Sequence, residues 1–99
     1  MNTNNDRLSR CSRIVRGFLL AKGFDLDRKG AQALWYCGTL AAAQGLPAHC
    51  WECVRTYADY IGSSFGAVEV NMSNACRASG CGLTAWKLLE KMEKLGEFV

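Results

Sequence analysis

Proline, histidine and long apolar runs are scarce in this sequence, and each scarcity removes a class of answers. One proline, Pro47, leaves nearly the whole chain open to helix, because proline is the residue that helix interiors tolerate least. One histidine, His49, leaves little for nucleophilic catalysis. Its neighbour Cys50 would point about 100° away on a helix, so the two cannot act as a dyad. No apolar stretch approaches the ~18–20 residues of a membrane span. The polar first ten residues lack the charged-then-apolar layout of a signal peptide. No membrane partner and a cytoplasmic location are therefore expected. Neither glycine-rich phosphate loop occurs. The carboxylate pairs Asp25 with Asp27 and Glu90 with Glu93 fit capping and surface roles. A non-enzymatic protein without a cofactor is the expectation.

What the chain does contain is 99 residues, 49% of them hydrophobic, enough for one modest core and too few for two independent domains. Residues 1–99 are read as a single helical domain, with N-terminal helices over 7–44 and a helix-turn-helix-like part over 48–99. The net charge of +3 is unevenly spread. Residues 1–29 hold seven Lys or Arg against three acids, residues 30–74 one against three, and residues 75–99 four against three. Positive potential gathered at one end permits a polyanionic partner without demanding one.

Hydrophobic spacing predicts a first helix over 7–22, with Leu8, Cys11, Val15 and Phe18 as its core stripe and Gly23 as its stop. Asp25 or Asp27 is placed to cap a second helix over 28–44, in which Leu34, Trp35, Cys37 and Leu40 pack inward. Pro47 suits the first turn of a third helix over 48–63, with Trp51, Val54, Tyr57, Ala58 and Ile61 on one face. After a turn of glycine and two serines, residues 65–70 alternate in the manner of one short strand. Asn71 or Ser73 would then cap a short helix through Ala78, residues 79–82 form a turn, and Thr84 opens a final helix. There Ala85, Leu88, Met92 and Leu95 keep helical spacing and Gly96 is a C-terminal stop. The expected fold is mainly α, four to five helices with one short strand.

Helix, short strand, short helix, glycine turn and a longer helix ending in Leu95 and Gly96 together resemble a winged helix-turn-helix. The match covers residues 48–99, and the segment 84–99 is similar to that family's recognition helix. The resemblance implies that Ala78 and Gly80 let two helices approach at a sharp angle while Ala85, Leu88 and Met92 seal the recognition helix to the core. The family's wing hairpin would begin where Phe98 and Val99 stand, so a wing is absent or truncated. Thr84, Lys87 and Lys91 would enter a DNA groove, beside Leu83, Trp86 and Glu90. A face with so few cations is a poor base reader. An apolar face with Leu83 and Trp86 equally suits a protein interface, or Trp86 packs on the N-terminal helices.

Two further groups of residues carry chemistry. Arg7, Arg10, Arg13 and Arg16 recur every third residue and form a drifting band that can track phosphates, meet an acidic protein surface, or simply keep the helix solvated. His49, Cys50, Cys53, Cys76 and Cys81 are soft or borderline ligands that could hold zinc, but only the first cysteine pair has ligand spacing. Buried free thiols are the favoured reading, with no metal assigned. The function expected is a small DNA-associated regulator, working as a homodimer because one wingless module buries little surface. The alternative is a protein-binding inhibitor or adaptor of the kind phages and plasmids encode, using the same scaffold to cover another protein.

Overall fold

A computed structural model describes residues 3–45 and 51–99, in which five α-helices are followed by one turn of 3-10 helix. They are α1 (Thr3–Ala21), α2 (Lys29–Gln44), α3 (Trp51–Ile61), α4 (Phe65–Ser79) and α5 (Ala85–Leu95), with the 3-10 turn over Gly96–Phe98. No helix among the described residues is long and apolar enough to cross a membrane.

The chain is organised around α2, which packs against every other helix and the 3-10 turn. Its inward residues are mostly small: Gly30, Ala31, Ala33, Gly38, Ala41 and Ala42 are buried beside Leu34 and Cys37. Small side chains let neighbouring backbones come close from several sides at once. The tightest approach is to α4, where a Cβ on Gly30 would collide with the Asn71 carbonyl and the Ala75 methyl. Around α2 the other helices supply the bulk, with Val15 and Leu19 from α1, Val54 from α3, Val68 and Met72 from α4, and Leu88 and Met92 from α5 all shielded from solvent. On α1 the buried set Cys11, Val15 and Leu19 keeps a four-residue step, so the expected stripe is present with Leu8 and Phe18 at its partly exposed margin.

Residues 65–70 are helical, which corrects the expected strand. Ser64 is extended and its hydroxyl accepts a hydrogen bond from the Ala67 amide at 3.1 Å, the mark of an N-cap. The alternation that imitated a strand has only one buried member. Val68 is buried with Met72, Ala75 and Cys76 at spacings of four, seven and eight, while Val70 is 57% exposed. The expected short helix from Asn71 or Ser73 is thus the second half of α4, and both residues lie inside it.

One smaller expectation also changes. Neither Asp25 nor Asp27 caps α2; Arg28 holds that place without a side-chain cap, and Asp25 instead accepts from the Asp27 amide within the preceding turn. Gly96 stands at the end of α5 as its C-cap, as expected. It keeps right-handed helical angles, and the chain tightens into the 3-10 turn. Its missing side chain matters for packing, because a Cβ there would strike the Ala42 carbonyl.

Candidate nucleic-acid interface

α3 and α4 are joined by only three residues, 62–64. Gly62 adopts φ 69°, a left-handed conformation that glycine reaches without steric cost. Its amide donates to the Asp59 carbonyl at 3.2 Å, and the Ser63 amide donates to the Ala58 carbonyl at 2.8 Å. These bonds close the end of α3, and one residue later Ser64 opens α4. Two amides of the connection, those of Gly62 and Ser63, are thus satisfied by carbonyls of α3.

That turn leaves one face of α4 in solvent. Gly66, Val70, Ser73, Asn74 and Arg77 are exposed, at the spacing of a helical stripe. Asn74 Oδ1 accepts from Arg77 Nη2 at 2.8 Å, so the amide and the guanidinium form a joined polar pair near the end of the stripe. Cations stand around α4 as well as on it. The Arg55 guanidinium of α3 lies 6.0 Å from the centre of the Phe65 ring. Lys29 of α2 shares a cleft of about 330 Å³ with Ser63 and Asn71, and Arg28 borders Ala75, Ala78 and Ser79. Asp25 lines the same cleft as Arg28, and Asp59 and Glu69 stand on α3 and α4, so the surface is mixed in charge.

The connection between α4 and α5 is longer, residues 80–84, and contains two left-handed glycines, Gly80 and Gly82. Thr84 caps α5, accepting from the Lys87 amide at 3.3 Å, so its hydroxyl is engaged in holding the helix. Leu83 and Trp86 are partly buried against the core. Lys87 and Lys91 are exposed, with Glu90 between them.

The arginine band of α1 divides. Arg7 is half-buried and holds other parts of the chain: Nε donates to the Ala43 carbonyl at 2.8 Å, Nη1 to that of Val99 at 3.1 Å, and Nη2 to those of Ala42 and Gly96, both at 3.3 Å. A guanidinium here satisfies carbonyls left over at the end of α2 and opposes the negative end of that helix. Arg10, Arg13 and Arg16 are exposed, and Arg10 Nε donates to the Asp6 carbonyl one turn earlier at 3.4 Å.

Of the proposed zinc ligands, His49 and Cys50 lie outside the described residues. Cys53 is buried on α3, and no three His, Cys, Asp or Glu side chains among the described residues are grouped to hold a metal. Cys76 and Cys81 do meet. Burial pushes the Cys76 thiol up to about 11, helped by the neighbouring Cys81.

A second surface was not anticipated from spacing. Trp35, Tyr36 and Tyr57, with Leu8 and Leu40, line a largely apolar groove of about 470 Å³ between α1, α2 and α3. The Trp35 indole Nε1 donates to the carbonyl and hydroxyl of Ser12 at 3.0 and 3.1 Å, which fixes the ring at the groove's edge. Tyr60, 76% exposed, stacks on Tyr36 at 5.9 Å. Burial raises the Tyr57 phenol above its ordinary value, with Cys37 and Tyr60 adding to the shift.

The α4 stripe was legible once Ser64 is read as a cap: fifteen residues follow with apolar positions at helical spacing. Comparison of the chain with protein-family models, with curated proteins and with solved structures gives no match.

Proposed function

We propose that the protein is a non-enzymatic DNA-associated regulator whose helix-turn-helix is formed by α3 and α4. The observation that carries this reading is the three-residue turn at 62–64, which joins two helices and leaves a polar stripe of the second one exposed. Helix-turn-helix units use turns of about three to four residues, often with glycine, and read bases from the second helix. In this role Ser73, Asn74 and Arg77 meet base edges, for which asparagine and arginine have the matching donor and acceptor patterns. Arg28, Lys29 and Arg55 would hold phosphates on either side. The likeness of residues 84–99 to a winged-helix recognition segment is carried forward only as helix-turn-helix character, since no strand occurs among the described residues to build a wing.

The test is binding to a randomised duplex pool at low salt, followed by a salt titration. The reading predicts affinity that falls steeply with salt and is lost in the double variant Asn74→Ala with Arg77→Glu. Absence of binding to any duplex at low salt would sink it. The exposed Tyr60 stacked on Tyr36 favours a second reading, a protein-binding adaptor or inhibitor, because exposed aromatic side chains beside an apolar groove are common interface anchors. A stoichiometric protein partner released by Tyr60→Ala, in a chain that binds no DNA, would select it.

A further inference from the structure

We propose that Cys76 and Cys81 form a modification site, a dithiol that closes to an intramolecular disulfide when a small-molecule disulfide such as glutathione disulfide reaches Cys81. The pairing is built by the way α4 ends. Gly80, at φ 70°, turns the chain left-handed, and its amide donates to the Arg77 carbonyl at 3.2 Å. In such an ending the residue after the left-handed position packs on the residue five places earlier. Here those two residues are Cys81 and Cys76.

The bonds around the pair hold it in place. Ser79 Oγ donates to the Cys76 carbonyl at 2.8 Å and accepts from the Cys81 amide at 3.2 Å, bridging the two residues. Cys81 Sγ lies 3.8 Å from the Cys76 carbonyl oxygen and 3.7 Å from that of Leu83, which sets it beside Cys76. Cys81 is half-buried, whereas Cys11, Cys37, Cys53 and Cys76 are buried. An oxidant therefore meets Cys81 first among these five.

The chemistry balances without another reactant. The Cys81 thiolate attacks one sulfur of glutathione disulfide, forming a mixed disulfide and releasing one glutathione thiolate. Cys76 then gives up its proton to the released glutathione thiolate and attacks the Cys81 sulfur, expelling the second glutathione as a thiolate that takes up from water the proton Cys81 had lost. Two protein thiols are oxidised by two electrons, and one disulfide is reduced to two glutathione molecules. Cys76 is buried and its thiol is raised further by that burial, so it follows the more exposed Cys81 in the sequence of attack.

Trypsin cuts after Arg77, between the two cysteines, and gives peptides 56–77 and 78–87 with one cysteine each. The full-length protein is incubated with glutathione disulfide, its remaining thiols are alkylated, and it is digested without reductant. The expected product is a single species containing both peptides, lighter than their sum by about two hydrogens and separated by reductant. It is absent from Cys81→Ser, whose circular dichroism remains that of the wild type. Two separate peptides, alkylated or carrying glutathione, would overturn the proposal. So would Cys76 joined to any cysteine other than Cys81 of the same chain.

Discussion

Two helix pairs can be weighed against the proposed helix-turn-helix, α3 with α4 and α4 with α5. The first is joined by three residues and the second by five. The first leaves a continuous stripe of α4 exposed, with serine, asparagine and arginine in it. The second presents Lys87 and Lys91 on α5, but Leu83 and Trp86 are partly buried against the core and the Thr84 hydroxyl is occupied as a cap. Connection length and the fate of the flanking apolar side chains, more than charge count, are what favour α4 over α5 in the proposed reading.

The two pairs are also anchored differently, and that gives the strongest way to break them apart. α4 is held to α2 through Gly30, so Gly30→Ala should overpack the crossing and cost about 3 kcal/mol in chemical denaturation, the upper part of the usual range. The end of α5 is held through Arg7, whose guanidinium joins the carbonyls of Ala42, Ala43, Gly96 and Val99. Arg7→Ala should cost about 2–3 kcal/mol, the range for hydrogen bonds to a charged group. Arg7→Lys should recover little of it, because an ammonium cannot span the same acceptors. Thermal melts of the two arginine variants check this.

Each second helix also has its own cap. Ser64→Ala and Thr84→Ala should each lower stability by about 1 kcal/mol, but in DNA binding the Ser64 variant should show the larger loss, since it loosens α4. Equilibrium unfolding beside a binding titration separates the two effects.

Alkaline pH probes the junction between the pairs. Cys76 ionises near an ordinary thiol value of 9.0 when unfolded and about 11 when folded. The folded state holds this proton more tightly, so the associated stability is complete below pH 9 and is lost as pH rises through about 11. In Cys76→Ala that part of the slope in a pH-dependent melt should disappear. The smallest effect belongs to the exposed arginines of α1. Arg13→Ala and Arg16→Ala should each change stability by less than about 0.5 kcal/mol, the usual surface range.

Much of this arrangement was legible in the sequence, and the exceptions have physical causes. α1, α2, α3 and α5 follow from apolar spacing, with Gly45, Gly62 and the Thr84 cap at their ends; the caps expected for α2 do not form, and Pro47 lies outside the described residues. α4 was cut in two because Val68 and Val70 flank a glutamate like alternate strand residues, and Asn71 and Ser73 are common caps. Only the longer series Val68, Met72, Ala75, Cys76 shows the helical period. The arginine band is a group only by its step of three. Three residues advance a helix by about 300°, so from Arg7 to Arg16 the band turns through about 180°. Arg7, four residues before the buried Cys11, therefore faces the core side while Arg16 faces solvent. Which carbonyls Arg7 would meet depends on how the ends of α2 and of the chain converge, which no local spacing encodes.

The most direct test of α4 as the reading helix is fluorescence anisotropy of a labelled duplex, selected from a random pool by the wild type, with two charge-altered variants compared at the same salt. Asn74→Ala with Arg77→Glu should weaken binding at least tenfold, about the loss of one good base contact. Lys87→Glu with Lys91→Glu should change it by less than about threefold and flatten the salt dependence only slightly. A larger loss from the α5 pair than from the α4 pair would contradict the account.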